Sequence, residues 1–178
     1  NSSLVAHGSP MIRPRVSETY DYEAELVLIV GKRVKHLTMQ NAYSCIAGYS
    51  CFNDGSIREY QRRTTQWDMG KNFDATGGFG PWMVTADELG DPTQLELTTR
   101  LNGQVMQKTT TDLMIFDIPT TIEYITTFTE LRPGDVISTG TPGGVGFKRN
   151  PPVFMKAGDT VEVEISKIGT LVNKIVSE

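Results

Sequence analysis

Glu23 and Glu25 stand two residues apart in the run Asp21-Tyr22-Glu23-Ala24-Glu25-Leu26-Val27-Leu28-Ile29-Val30-Gly31. In an extended chain, alternate side chains share a face, so the two carboxylates project side by side with Asp21 below them. Leu26 to Val30 is an unbroken apolar run closed by Gly31, the pattern of a strand buried on both faces. The acids therefore stand where a strand enters the core, and there paired carboxylates repel each other and lose hydration. Two readings follow: a solvated strand edge, or oxygen ligands for a hard divalent cation. Asp54, expected at the end of a second strand, is the candidate third acid; its alternative role is a turn aspartate capping the helix that follows. Three carboxylates without histidine or cysteine companions suit Mg2+, Mn2+ or Ca2+ rather than zinc.

Lys71 lies among glycines and aromatics, between Gly70 and Asn72-Phe73. Held by packed neighbours it could answer an anionic substrate group; otherwise it is a surface lysine. The loop Gly140-Thr141-Pro142-Gly143-Gly144-Val145-Gly146 lacks the Gly-Lys-Ser/Thr of a nucleotide P-loop and the spacing of a dinucleotide fingerprint. Its amides, with Gly140 and Thr141, could bind a carboxylate, and a plain hairpin loop fits equally well. His7 and His36 have no nucleophile arrangement near them in the sequence and read as surface residues.

The elements that must carry these groups read as follows. Residues 1–20 contain Pro10 and Pro14 and little periodicity, which predicts an extended arm. A strand is expected over 22–30, then a short helix from Thr38 to Ile46 ended by Gly48. A strand over 49–53 should deliver Asp54, and a short helix over 57–63 should carry Arg58 and Gln61. The stretch 66–82 is an ordered loop whose Trp67, Phe73, Phe79 and Trp82 call for burial. Alternation over 95–101, then Asn102-Gly103, then 104–109 predicts a β-hairpin with a type I′ turn. Asp117 should cap a helix with Pro119 in its first turn and Ile118, Ile122, Ile125 and Phe128 on its apolar face. Strands are expected over 136–139, 160–165 and 170–176. The fold class is mainly β with short helices (α+β), as one domain over 1–178.

Length and composition are those of an ordinary globular domain. The net charge of −4 and the absence of a long basic run argue against a nucleic-acid partner. No stretch has the length of a membrane span and none reads as a signal peptide, so no membrane partner is expected. Cys45 and Cys51 form neither a zinc pattern nor a disulfide framework, which suits a reduced, cytoplasmic setting.

Four blocks occur in one order along nearly the whole chain: Asp21-Tyr22-Glu23-Ala24-Glu25-Leu26 through Gly31-Lys32; Gly48-Tyr49 to Asp54 with Arg58 and Gln61; Gly70-Lys71-Asn72-Phe73; and Thr139-Gly140-Thr141-Pro142-Gly143-Gly144-Val145-Gly146. Together they resemble the C-terminal catalytic domain of the fumarylacetoacetate hydrolase family, acylpyruvase and fumarylpyruvate hydrolases included. The resemblance implies a mixed β-sandwich roll, commonly a homodimer. It implies Mg2+ or Mn2+ on Glu23, Glu25 and Asp54, and Arg58, Gln61, Lys71, Gly140 and Thr141 around a small 2-oxo or β-diketo acid from aromatic or sugar-acid breakdown. The activity it implies is hydrolysis of a carbon–carbon bond in an acylpyruvate through a metal-bound enolate, with Lys71 beside the developing negative oxygen. The same site would serve an oxaloacetate-type decarboxylase or a hydroxymuconate-type isomerase or hydratase, and a non-catalytic 2-oxo-acid-binding domain would keep the metal alone. Two departures stand out. Gly55-Ser56 alters the spacer between Asp54 and Arg58, and the His–Glu lid pair of hydrolytic members has no match before Glu23. The lid and the catalytic base are therefore expected upstream of Asn1.

Overall fold

The computed structural model describes residues 2–178. Two five-stranded sheets form the body. The first has the order β1-β7-β5-β4-β10, with β1 (Leu4–Ala6), β4 (Ala24–Val30), β5 (Ile46–Asn53), β7 (Gly77–Thr85) and β10 (Val136–Ser138). The second has the order β2-β12-β11-β8-β9, with β2 (Met11–Arg13), β8 (Glu96–Leu101), β9 (Gln104–Thr110), β11 (Thr160–Ile165) and β12 (Gly169–Ser177). A short ladder joins β3 (Tyr20–Asp21) to β6 (Ser56–Ile57). The helices are short: α1 (Arg58–Gln61), α2 (Ala86–Leu89) and α3 (Ile118–Phe128).

The mainly β class with short helices is as expected. The inner faces of the sheets meet in one apolar cluster that includes Leu26, Leu28, Tyr49 and Cys51 from the first sheet and Leu97, Val163, Ile165 and Leu171 from the second. Each such side chain withdrawn from water contributes roughly 1.5–3 kcal/mol. Ile118 and Ile122 of α3 join this cluster. A second cluster, with Met11, Tyr20, Tyr22, Ile57, Met106, Met155 and Ile175, lies under the acidic segment.

Several local expectations need correction. Residues 2–20 are extended in part, as expected, but do not stand apart as an arm: β1 pairs in parallel with β7 and β2 in parallel with β12, so the segment ties the two sheets together. The helix expected from Thr38 is a single 3-10 turn over Ala42–Cys45, and β5 begins at Ile46, with Gly48 inside it. A side chain at Gly48 would strike the Val84 carbonyl, so that glycine serves strand packing and not a helix end. The stretch 66–82 holds a 3-10 turn (Trp67–Gly70) and the start of β7. Trp67 is 64% exposed and Trp82 61%, against the burial expected of them. Phe128 is 65% exposed, so the buried face of α3 ends one turn earlier. The hairpin is as predicted: Asn102 (φ 52) and Gly103 (φ 80) both take positive φ, as a type I′ turn demands. Asp117 caps α3 by accepting from the Thr120 amide at 2.8 Å.

Candidate metal centre

The register of β4 against β5 builds the centre. Ala24 pairs with Asn53, so Glu23 and Asp54 stand opposite each other one step beyond the ladder. Two contacts lock that step: Asp54 N donates to Glu23 O at 2.8 Å, and Glu23 N donates to Asn53 Oδ1 at 3.0 Å. Glu25 projects on the same side as Glu23 by strand alternation. The carboxylates of Glu23, Glu25 and Asp54 offer oxygens that all lie within 4.8 Å of one another. The three acids singled out in the sequence thus form one cluster, and Glu23 and Glu25 are buried.

Two cations meet the cluster. Lys71 Nζ donates to Glu23 Oε2 at 2.6 Å and to Asp54 Oδ2 at 2.5 Å. Gly70 sets its approach: a Cβ there would sit 2.5 Å from Gln61 Cβ, so only glycine lets this backbone lie against α1. Arg58 Nη1 lies 2.6 Å from Glu23 Oε1 and also donates to Gln61 Oε1 at 2.9 Å. Its other edge grips Asp21, from Nε at 2.9 Å and Nη2 at 2.8 Å. Asp21 in turn accepts from the Gly146 and Phe147 amides, both at 2.8 Å. Asp21 is the residue whose role sequence reasoning missed. The alternating acidic run contained the signal, but its partners arrive from 37 and 125 residues away.

The loop 139–146 serves the protein's own groups. Gly140 N donates to Glu25 Oε2 at 2.9 Å, and the Ser138 hydroxyl donates to the same oxygen. Thr141 Oγ1 donates to Ala24 O at 2.9 Å and accepts from Gln107 Nε2 at 2.9 Å, while Gln107 Oε1 accepts from Ala24 N. Gly140 and Thr141 therefore brace β4 at the cluster. Their loop also walls a pocket of about 510 Å³ whose far side is Leu113, Ile115 and Phe116; none of the acids lines it. His7 is structural, its Nδ1 accepting from Val172 N.

The electrostatics show what the cluster lacks. Burial, Asp54 and Glu23 push the Glu25 carboxyl up, against the pull of Ser138 and Gly140, to about 7. Burial also raises Asp54, in spite of Lys71 beside it. Burial draws Lys71 down, but Asp54 and Glu23 outweigh it and the ammonium ends above its ordinary value. With all four carboxylates ionised, Asp21, Glu23, Glu25 and Asp54 face two cations, Arg58 and Lys71, which leaves two negative charges. Oδ1 of Asp54 and Oε1 of Glu25 accept no hydrogen bond from the described residues. Hard oxygen donors, close spacing and a deficit of two positive charges fit one divalent cation such as Mg2+ or Mn2+.

Comparison with known proteins bears on the family. The family model described as fumarylacetoacetate (FAA) hydrolase C-terminal matches residues 1–176. Oxaloacetate tautomerase Fahd2a, mitochondrial, of Rattus norvegicus is 39% identical over 177 residues, covering 99% of this chain and 56% of the rat protein. The structure of fumarylacetoacetate hydrolase from Exiguobacterium antarcticum superposes with a TM-score of 0.95 at 38% identity, over 99% of this chain and 64% of that one. The 5-carboxymethyl-2-hydroxymuconate delta-isomerase of Mycobacterium smegmatis gives 0.91 at 37% identity, over 99% and 66%. The chain thus spans less than two thirds of each of these proteins. No helix among the described residues is long and apolar enough to cross a membrane. On the strength of the family model and of the relatives that share its fold, the chain belongs to the fumarylacetoacetate hydrolase family.

Proposed function

We propose that this chain carries the centre of a divalent-metal-dependent enzyme that shifts a proton or double bond next to the keto group of a small 2-oxo acid. The observation that carries the reading is the placement of the Lys71 ammonium between Glu23 and Asp54, within a carboxylate cluster short of two positive charges. A divalent ion held by Glu23, Glu25 and Asp54 would supply Lewis acidity and orient the substrate's oxygens. The protein's own groups do the rest. Lys71 keeps a proton at Nζ, because its two carboxylate neighbours favour the charged form. That charge favours negative charge growing on the 2-oxo oxygen more than it favours the neutral ketone. Arg58, gripped by Asp21 and Glu23, holds the wall on which Gln61 sits. Ser138 and Gly140 aim the Glu25 carboxylate.

The proton-shift reading is preferred to carbon–carbon hydrolysis because relatives are named tautomerase and isomerase. Hydrolysis stays as the second reading, supported by the hydrolase name of the Exiguobacterium structure. One experiment separates them. The intact protein with Mg2+ is given oxaloacetate and an acylpyruvate in deuterated water and followed by NMR. Deuterium entering the carbon beside the 2-oxo group, with no cleavage, is the expected result; cleavage of the acylpyruvate would favour hydrolysis. Lys71→Met should slow turnover about a hundredfold, the cost of losing one oxyanion donor, with a far smaller change in Mg2+ affinity. Unchanged turnover in that variant would remove Lys71 from the mechanism.

A further inference from the structure

Gln107 is a buried amide on an edge strand: it lies on β9, at the border of the second sheet, and is 1% exposed. Burying a primary amide is unfavourable unless its two protons and its oxygen lone pairs are met. Here all are met. Oε1 accepts from Ala24 N at 3.1 Å and from Thr99 Oγ1 at 2.7 Å. Nε2 donates to Thr141 Oγ1 at 2.9 Å and to the Pro142 carbonyl at 3.0 Å. A β-bulge aims the side chain. Pairing of β8 with β9 joins Thr99 to Gln107 and then Arg100 to Val105, which leaves Met106 as the extra residue. The Met106 carbonyl accepts from Arg149 Nη2, and a Cβ at Gly144 would lie 2.5 Å from that oxygen. The glycine loop is thus pressed against the strand that carries Gln107.

Gln107 reaches the residue between two candidate ligands. β10 pairs with β4 only over residues 27–29, and beyond that ladder Thr139 still donates to Leu26 O. Ala24 presents its backbone groups to the same edge as Leu26, and no strand lies beside them there. Gln107 takes the Ala24 N–H and Thr141 takes the Ala24 carbonyl. The bond from Gln107 to Thr141 closes a ring of three hydrogen bonds. This ring fixes the backbone between Glu23 and Glu25, and with it the loop whose Gly140 amide holds Glu25. The three acids are not held alike. Lys71 pins Glu23 and Asp54, and Arg58 pins Glu23 again. The Glu25 carboxylate accepts instead from Ser138 and Gly140, on either side of Thr139 and next to Thr141. Glu25 is therefore the acid whose place depends on the ring.

We infer that Gln107 is a positioning residue that sets which divalent ion the centre prefers, by keeping Glu25 at the spacing a small cation requires. The inference rests on the reading of Glu23, Glu25 and Asp54 as ligands of one divalent ion. Mg2+ demands near-octahedral oxygen donors at about 2.0–2.1 Å, whereas Ca2+ accepts irregular sets at about 2.3–2.6 Å. A row of fixed carboxylates favours the smaller ion, and a row with one loose member admits the larger. Gln107 makes no hydrogen bond to any of the three acids; it acts through Ala24 and Thr141.

The test measures Mg2+ and Ca2+ dissociation constants by calorimetry on the intact protein, with urea stability in EDTA beside them. Gln107→Met keeps the side chain's length and removes all four hydrogen bonds. It should weaken Mg2+ binding about tenfold, the lower end for losing a group that orients a metal ligand. Ca2+ binding should weaken far less, so the ratio of the two constants moves toward Ca2+. Thr141→Val opens the same ring from the loop side and should move the ratio in the same direction; it carries the test where Gln107→Met does not fold. Thr99→Val is the control. It removes a buried hydrogen bond to Gln107 Oε1 and leaves the ring closed, so it should lower stability and keep the wild-type ratio. Unchanged Mg2+ affinity, or equal losses for the two ions, in the ring variants overturns the inference and leaves the metal centre standing. A shift of the same size in Thr99→Val overturns it too, since it would mark a general structural effect. Wild-type protein that binds neither ion overturns the metal reading and this inference with it.

Discussion

Glu25 is a side chain whose charge costs the fold stability. Its carboxyl is raised from an ordinary carboxylate value of 4.5 to about 7 by burial and by the neighbouring acids Asp54 and Glu23. Between pH 4.5 and 7 the folded protein therefore binds more protons at this position than the unfolded chain does. Stability from this group is fully present below 4.5 and falls as pH rises toward 7. The size is roughly 3 kcal/mol at most, from about 1.4 kcal/mol per pH unit. In EDTA, urea denaturation should thus show stability declining as pH rises across that window. Glu25→Gln should flatten the decline in part, since burial raises Asp54 and Asp21 in the same direction. A wild-type profile that is flat or rises from pH 5 to 7 in EDTA would show that Glu25 is not buried among acids.

The glycine loop is the element on which the centre depends. Its two ends hold two acids of the row, Gly140 at Glu25 and Gly146 at Asp21. A Cβ at Gly146 would lie 1.7 Å from Val153 O and 2.7 Å from Asp21 Oδ1. Both neighbours are fixed, so the loop must move. Gly146→Ala should destabilise the protein by roughly 3 kcal/mol, in the range of overpacked or strained buried sites, and weaken Mg2+ binding by letting Arg58 and Glu23 drift. Equal melting temperatures for wild type and variant would show that the loop adapts without cost. The misread elements have a common cause. Trp82 lies with its ring edge 3.1 Å from the position a Gly169 Cβ would take, partly covered yet 61% exposed. Aromatic content signals burial only when an inner face is available, and which face of β7 is inner depends on the other sheet. The helix expected from Thr38 gives way to one 3-10 turn because Ile46 and the residues after it are claimed by pairing with β4.

The whole molecule is a frame that holds like charges together. Two sheets, tied by β1 and β2, bury the apolar flanks of β4 and force Glu23, Glu25 and Asp54 within 4.8 Å of one another. Folding energy distributed over the core sustains that repulsion, and a bound cation relieves it. Mg2+ at about a hundred times its dissociation constant should therefore stabilise the protein by about 2.7 kcal/mol. Calorimetry with Mg2+ and with EDTA measures this, and a melting temperature indifferent to both would mean that the acids hold no ion.

The amino-acid sequence by itself determined the chemical kinds present and much of the local structure. Alternation placed Glu23 and Glu25 on one face, Asn102-Gly103 specified the hairpin turn, and Asp117 with Pro119 started α3. These depend on contacts within a few residues, where backbone geometry alone decides. The identity of the cluster as a centre depended on register. Only the pairing of Ala24 with Asn53 puts Asp54 opposite Glu23, and a slip of one residue would turn Asp54 to the other face. The partners of Asp21, the placement of Lys71 between two acids and the use of Gly140 and Thr141 as internal braces are contacts across 17 to 126 residues. Spacing along a chain does not encode such distances. They are set when the two sheets close on their shared core and carry each loop to its place.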